Sequence, residues 1–197
     1  MATALLRPQG LLALGMIALL GLVPSLGQEP PSKPGKTPTR GKEYEVKAAV
    51  LYKLGRFVTW PASAFQGSDA PFTLASVGKN PFDDILANMV TGKRITNRPP
   101  RVQHFDGPSD LAPCQILFVT AEALTHMPTL RRRARAEHIL TVGETEDFLE
   151  QGGMVHMAVV DDRLRLSINV AEAAEADLRI SASLLRISHR VVQETVP

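Results

Sequence analysis

The chain has 197 residues, of which 44% are hydrophobic, 21% charged and 5% aromatic, with a single cysteine. That length fits one domain with short appendages, and that hydrophobic content excludes a disordered chain. Lysine and arginine number 22 against 20 acidic residues, and one cysteine excludes a disulfide within the chain.

Residues 1–27 combine one basic residue, Arg7, an apolar run from Leu11 to Leu22 and a small-residue exit at Ser25 and Gly27. This is the pattern of a secretory signal peptide. The alternative, an uncleaved anchor, needs about 20 apolar residues, more than the run supplies. Residues 28–42, QEPPSKPGKTPTRGK, hold four prolines and nothing large and apolar to bury. A disordered Pro/Lys-rich linker is expected there. The domain is placed at 43–197. Removing Arg7, Lys33, Lys36, Arg40, Lys42 and Glu29 leaves it 17 basic and 19 acidic residues, a net of −2. A nucleic-acid partner wants a basic patch on the folded part, so none is expected.

Apolar spacing predicts a first helix from Glu43 to Val58. Val46, Val50, Leu51, Leu54, Phe57 and Val58 recur at mostly helical intervals as its apolar side, and Glu43 and Lys47 pair on the polar side. Trp60-Pro61 closes it. FTLASVG, 72–78, reads as a buried strand. Asn80, Pro81 and Asp83–Asp84 then mark a helix start, with Gly92 as its stop. Arg101–Phe105 and CQILFVT, 114–120, are further strands, the second fully apolar. Residues 121–138 read as a helix in two pieces broken at Pro128. ILTVG is a strand, and ETEDFLEQGG a short acidic helix. MVHMAVV and RLRLSIN flank Asp161–Asp162 as a hairpin. VAEAAEADLRI and SASLLRISHRVV read as two closing helices. The whole predicts an α/β layered sandwich, a mostly parallel central sheet flanked by helices with the hairpin at one edge.

The search for chemistry returns little. SVGKNP lacks the other residues of a phosphate-binding loop. His104, His126, His138, His156 and His189 show no ligand spacing with each other or with Cys114, so no metal is expected. Asp161–Asp162 are better explained by a turn than by paired catalytic carboxylates. Arg131, Arg132, Arg133 and Arg135 read as a solvated helix face, or as a site for an acidic partner or lipid headgroup. Cys114 reads as a small core residue. No acid, base and nucleophile assemble, and neither an enzyme nor a cofactor is expected. The carboxyl ends of the strands, near Gly78, Thr120 and Gly143, offer a crevice where a small molecule would bind.

Several stretches resemble one family: KAAVLYKLGRFVTWP, FTLASVGKNPF, CQILFV, ILTVGETEDFLEQGGMVHM and RLRLSINVAEAAEADLRISASLLRIS. In order and spacing across 46–190, they resemble the YfiR family of bacterial periplasmic proteins. The resemblance implies an α/β domain in the periplasm, with no stable membrane insertion after signal cleavage. It implies a partner, the periplasmic domain of an inner-membrane signalling protein, a diguanylate cyclase or a sensor kinase. Its best-understood member represses such a cyclase, and release of repression raises cyclic-di-GMP and promotes biofilm. Well-studied members carry more cysteines; here only Cys114 matches, which leaves no intramolecular redox switch. A homodimer is possible, and a Cys114–Cys114 link would require an exposed strand end. The partner-binding residues expected are Tyr52, Lys53, Arg56 and Trp60, with Trp60 open to either a packing or an anchoring role. The alternative is a small-molecule-binding sensor without a cyclase partner.

Overall fold

The computed structural model describes residues 40–193. The signal peptide expected over 1–27, and the linker up to 39, lie outside the described residues. The first helix, α1, runs Arg40–Phe57, so it takes in the last three residues of the expected linker. Tyr44, Ala48, Leu51 and Leu54 are buried at helical intervals and form its core-facing stripe. That stripe corrects two expectations. Val46 is 51% exposed, whereas Lys47 is 3% exposed and points inward. Gly55 lies on the same side, and a side chain there would collide with Ile95, so the helix packs close to its neighbours.

The helix ends one residue before Val58. Val58–Thr59 form a short strand, β1, pairing antiparallel with Arg179–Ile180, β8. This contact between sequence-distant segments overrides the local helical pattern. It also turns the expected helix 170–180 into α4, Val170–Glu175, followed by β8.

Seven strands make the main sheet. They are β2 (Phe72–Val77), β3 (Pro100–Phe105), β4 (Ile116–Val119), β5 (Leu140–Gly143), β6 (Val155–Val160), β7 (Arg163–Asn169) and β9 (Arg190–Val192). Their order is β3-β2-β4-β5-β6-β7-β9. The first five are parallel, β7 runs antiparallel to β6, and β9 runs parallel to β7. This is the expected α/β architecture, with the hairpin at one end of the sheet and β9 outside it. Asp161 and Asp162 have φ of 51° and 56°, the left-handed pair that a tight two-residue hairpin requires. The connecting helices are α2 (Ile85–Val90) between β2 and β3, and α3 (Met127–Glu137) between β4 and β5. These crossovers step outward in opposite directions, and right-handed connection places them on opposite faces of the sheet.

Three further differences have local causes. The helix expected from Asn80 begins only at Ile85. Asn80 Oδ1 accepts from the Phe82 amide at 3.1 Å, and Asp83 has φ 44°, so the segment turns before it coils. The turn delivers Phe82 into the core, edge-on to Tyr44 and Phe118 at centroid distances of 5.5 and 4.9 Å. ETEDFLEQGG is a succession of turns rather than a helix. Phe148 is fully buried against Gly143 and Gly153, where any side chain would overlap its ring. SASLLRISHRVV supplies only a short helix, α5 (Ala182–Ile187), before β9. The helical spacing of SASLLRISHRVV puts Leu184, Leu185, Ile187 and Val191 toward a core; Leu184 is buried, but Ile187 and Val191 are 73% and 37% exposed. Finally, the break expected at Pro128 falls at Met127, after a 3-10 turn at Glu122–His126; Pro128 opens α3.

Candidate functional site

The four residues expected to meet a partner lie near the end of α1, and the structure separates them. Lys53 and Arg56 are exposed and one turn apart. Tyr52 is half-buried. Its hydroxyl donates to the Arg94 carbonyl at 3.3 Å, and the Lys93 ammonium sits 5.1 Å from its ring centroid. It ties α1 to the segment after α2. Trp60 is not at the surface. It is 9% exposed and stands edge-on to Phe72 at 5.0 Å. Packing therefore decides its position, and its indole N–H finds no acceptor among the described residues. Its rim borders a cleft of about 460 Å³ with Pro61, Asp177 and Arg179.

A second candidate lies at the carboxyl ends of the strands. From β2 the chain steps out to β3, then returns to β4 on the other side of β2. Open α/β sheets form a crevice at such a reversal. Gly78, just after β2, has φ 91°, and a side chain there would collide with Thr120 Oγ1. Thr120 is 6% exposed and its hydroxyl lacks a partner among the described residues. Around them is a crevice of about 240 Å³ lined by Gly78, Lys79, Asp106, Glu122, Ala123 and His126. One ammonium, one imidazole and two carboxylates at its mouth suit a small charged or zwitterionic molecule. Gly143 was expected beside this crevice but is covered by Phe148. The residue after it, Glu144, accepts from Tyr44 at 2.9 Å and pairs with Lys47.

The structure also brings together groups that sequence spacing did not. Ser63 Oγ lies 3.0 Å from His138 Nε2, and His138 Nδ1 lies 3.0 Å from the Ala176 carbonyl and 3.6 Å from Asp177. A carbonyl on Nδ1 holds that nitrogen protonated, which leaves Nε2 to accept from Ser63. The pair is at the surface; the neighbouring cleft is walled by Asp177 but by neither Ser63 nor His138. A similar contact joins Ser76 Oγ to His104 Nδ1 at 3.1 Å, with Asp106 3.6 Å beyond, but Ser76 is only 3% exposed. No metal-holding group of three or more His, Cys, Asp or Glu occurs among the described residues.

The arginine cluster of α3 is not a free basic face. Arg131 and Arg135 converge on Glu172, wholly buried in α4, at 2.6 and 2.9 Å. Arg133 binds Glu137 at 2.8 Å and the carbonyls of Pro108 and Leu111 at 2.9 Å each. Sequence reasoning missed Glu172 because a glutamate in an alanine-rich helix reads as solvent-facing. The one signal was Asn169, whose side chain caps α4 by accepting from the Glu172 amide at 3.1 Å and fixes which way Glu172 turns.

Cys114 is buried, and desolvation, with the charge of Glu137 adding to it, pushes its thiol up to about 12. Burial leaves it unavailable for a link between copies.

A mostly parallel sheet with helices on both faces and a crevice at its strand-order reversal defines an α/β sandwich domain. The chain belongs to the YfiR/HmsC-like family, whose model matches residues 44–189. Among curated proteins, none matches it.

Proposed function

We propose that the protein is an exported regulator that binds the periplasmic part of an inner-membrane signalling protein, a diguanylate cyclase or sensor kinase, and modulates it by direct contact. The observation that carries this reading is the family match across 44–189. Two others support it: the signal-like composition of residues 1–27, and the lack, among the described residues, of any helix long and apolar enough to cross a membrane. The contact face is the exposed side of α1. Lys53 and Arg56 supply charge, Tyr52 supplies a fixed aromatic edge, and Trp60 holds the corner from behind.

The test is capture of the partner from detergent-solubilised inner membranes by the purified domain, with cyclic-di-GMP measured after deletion of the gene. A recovered signalling protein, and weaker recovery with Lys53→Glu plus Arg56→Glu, is the expected result. No membrane signalling protein in the capture, with unchanged cyclic-di-GMP, overturns it.

A second reading, a small-molecule sensor, rests on the crevice at Gly78 and Lys79 and the buried unpartnered Thr120 hydroxyl beneath it. Thermal shift against small charged and zwitterionic metabolites tests it. Stabilisation lost in Lys79→Met supports a sensor; no stabilisation by any compound removes it.

A further inference from the structure

The strand β7 is only half covered on its outer side. β9 pairs with Ser167, Ile168 and Asn169 alone. The Leu166 carbonyl accepts from the His189 amide at 2.7 Å, which shows that Leu166 turns its polar groups outward. Antiparallel pairing alternates this direction at every second residue, so the N–H and C=O of Leu164 also face outward. Nothing among the described residues pairs with them.

The two faces beside this open edge differ in chemistry. Register places Leu164 opposite Val159, and Leu166 opposite Met157. With Val191 opposite Ile168, they make one face apolar. Val159 and Val191 are 40% and 37% exposed. The other face carries Arg163 and Arg165, with Arg190 level with Ser167. None of these three arginines has an ion-pair partner among the described residues, within a domain whose net charge is −2.

We propose that the β7 edge at Arg163–Leu166 receives an extended segment of a partner protein as an added strand, and that the segment alternates acidic and apolar residues. Backbone bonds to Leu164 supply affinity; alternate side chains meet the arginines on one face and Leu164 and Leu166 on the other. Charge selects the occupant. A second copy would set its own arginines against these, and residues 28–42 carry a net +3. β9 itself runs from Ser167 toward Asn169, away from the gap. The inference rests on the reading that the domain binds a protein partner, and the experiment separates the two.

The probe is a blocked octapeptide of alternating glutamate and valine, with a lysine-valine peptide as control. Binding to the full chain is read by fluorescence anisotropy and by amide exchange at Leu164. The glutamate peptide is expected to bind and slow exchange at Leu164. Arg163→Glu plus Arg165→Glu should weaken it about tenfold or more, since like charges facing each other across strands repel, and the variant should prefer the lysine peptide. Circular dichroism of the variant confirms its fold. Arginines that merely guard an open edge against aggregation would leave both peptides unbound. That result, or equal binding of both, overturns the proposal. Membrane capture with the same variant is the separate arm. If the partner is retained while the peptide is lost, the regulator reading stands and its contact lies elsewhere. If the peptide binds while wild type captures nothing, the edge stands and the regulator reading falls.

Discussion

Lys47 of α1 and Glu144, just after β5, form an ion pair between positions 97 apart in the sequence, with the lysine buried and the carboxylate partly exposed. Glu43 completes the set from one turn earlier at 2.5 Å, and the Tyr44 hydroxyl donates to the same Glu144. The pair fastens α1 to the carboxyl end of β5. Removing Lys47 takes the cationic partner from a partly exposed Glu144 that keeps its bond from Tyr44. Lys47→Ala should therefore destabilise the domain by about 1–3 kcal/mol. Lys47→Met, which keeps the stem, combined with Glu144→Gln should recover much of that. Urea denaturation of the single and double variants measures the coupling.

Alkaline pH should weaken the fold through two groups. Burial lowers the Lys47 ammonium, but the hydrogen bonds and charges of Glu144 and Glu43 outweigh it and raise the pKa above its ordinary value of 10.5. Cys114 is raised from 9.0 to about 12 by desolvation, with Glu137 adding to it. Both folded-state pKa values lie above those of the unfolded chain. Their stabilising contributions are complete below about pH 9 and fall away as pH rises toward 12. Cys114→Ala should flatten the onset near pH 9, at the cost of a small cavity. The same burial predicts no reaction of the folded thiol with a maleimide at pH 7.5 and full reaction in denaturant. Rapid labelling of folded protein would place Cys114 at the surface.

Gly153→Ala should destabilise by about 1–3 kcal/mol, the usual cost of overpacking. A Cβ there enters the space of the Phe148 ring, which is wholly buried. Phe148→Leu in the same chain should remove part of the penalty, because the clash is with the ring itself. Melting temperatures of the two single variants and the double variant give the comparison. Strict additivity would mean the ring and the glycine are uncoupled.

The Ser63–His138 pair has the donor and acceptor of a nucleophile and base, without a cleft built on it. A fluorophosphonate probe is expected to leave Ser63 unlabelled. His138→Ala should act on stability instead, since His138 sits at φ 58° at the end of α3 and links it to Ser63 and Ala176. Labelling of Ser63 that disappears in His138→Ala would make the pair catalytic and reopen the question of activity.

The sequence alone determined the architecture and most strand positions. Continuous apolar runs such as FTLASV and ILFV can only be buried on both faces, and that requires helices above and below. It also determined the hairpin turn, because two adjacent aspartates tolerate positive φ. Elements failed where a distant partner outweighed a local pattern. Val58 left its helix for Arg179–Ile180, residues 190–192 left theirs for the edge of β7, and Phe82 drew its segment into a turn. The candidate surface was legible only in part. Lys53 and Arg56 were readable as an exposed pair, but the periodicity that put Val46 inside and Lys47 outside was off by one position on the helix. Only the tertiary structure decided that rotation, because a buried lysine is tolerable solely where two carboxylates, one of them from another segment, converge on it. The half-open edge of β7 was equally invisible in the sequence. It depends on how far β9 reaches along its neighbour, which no local pattern specifies.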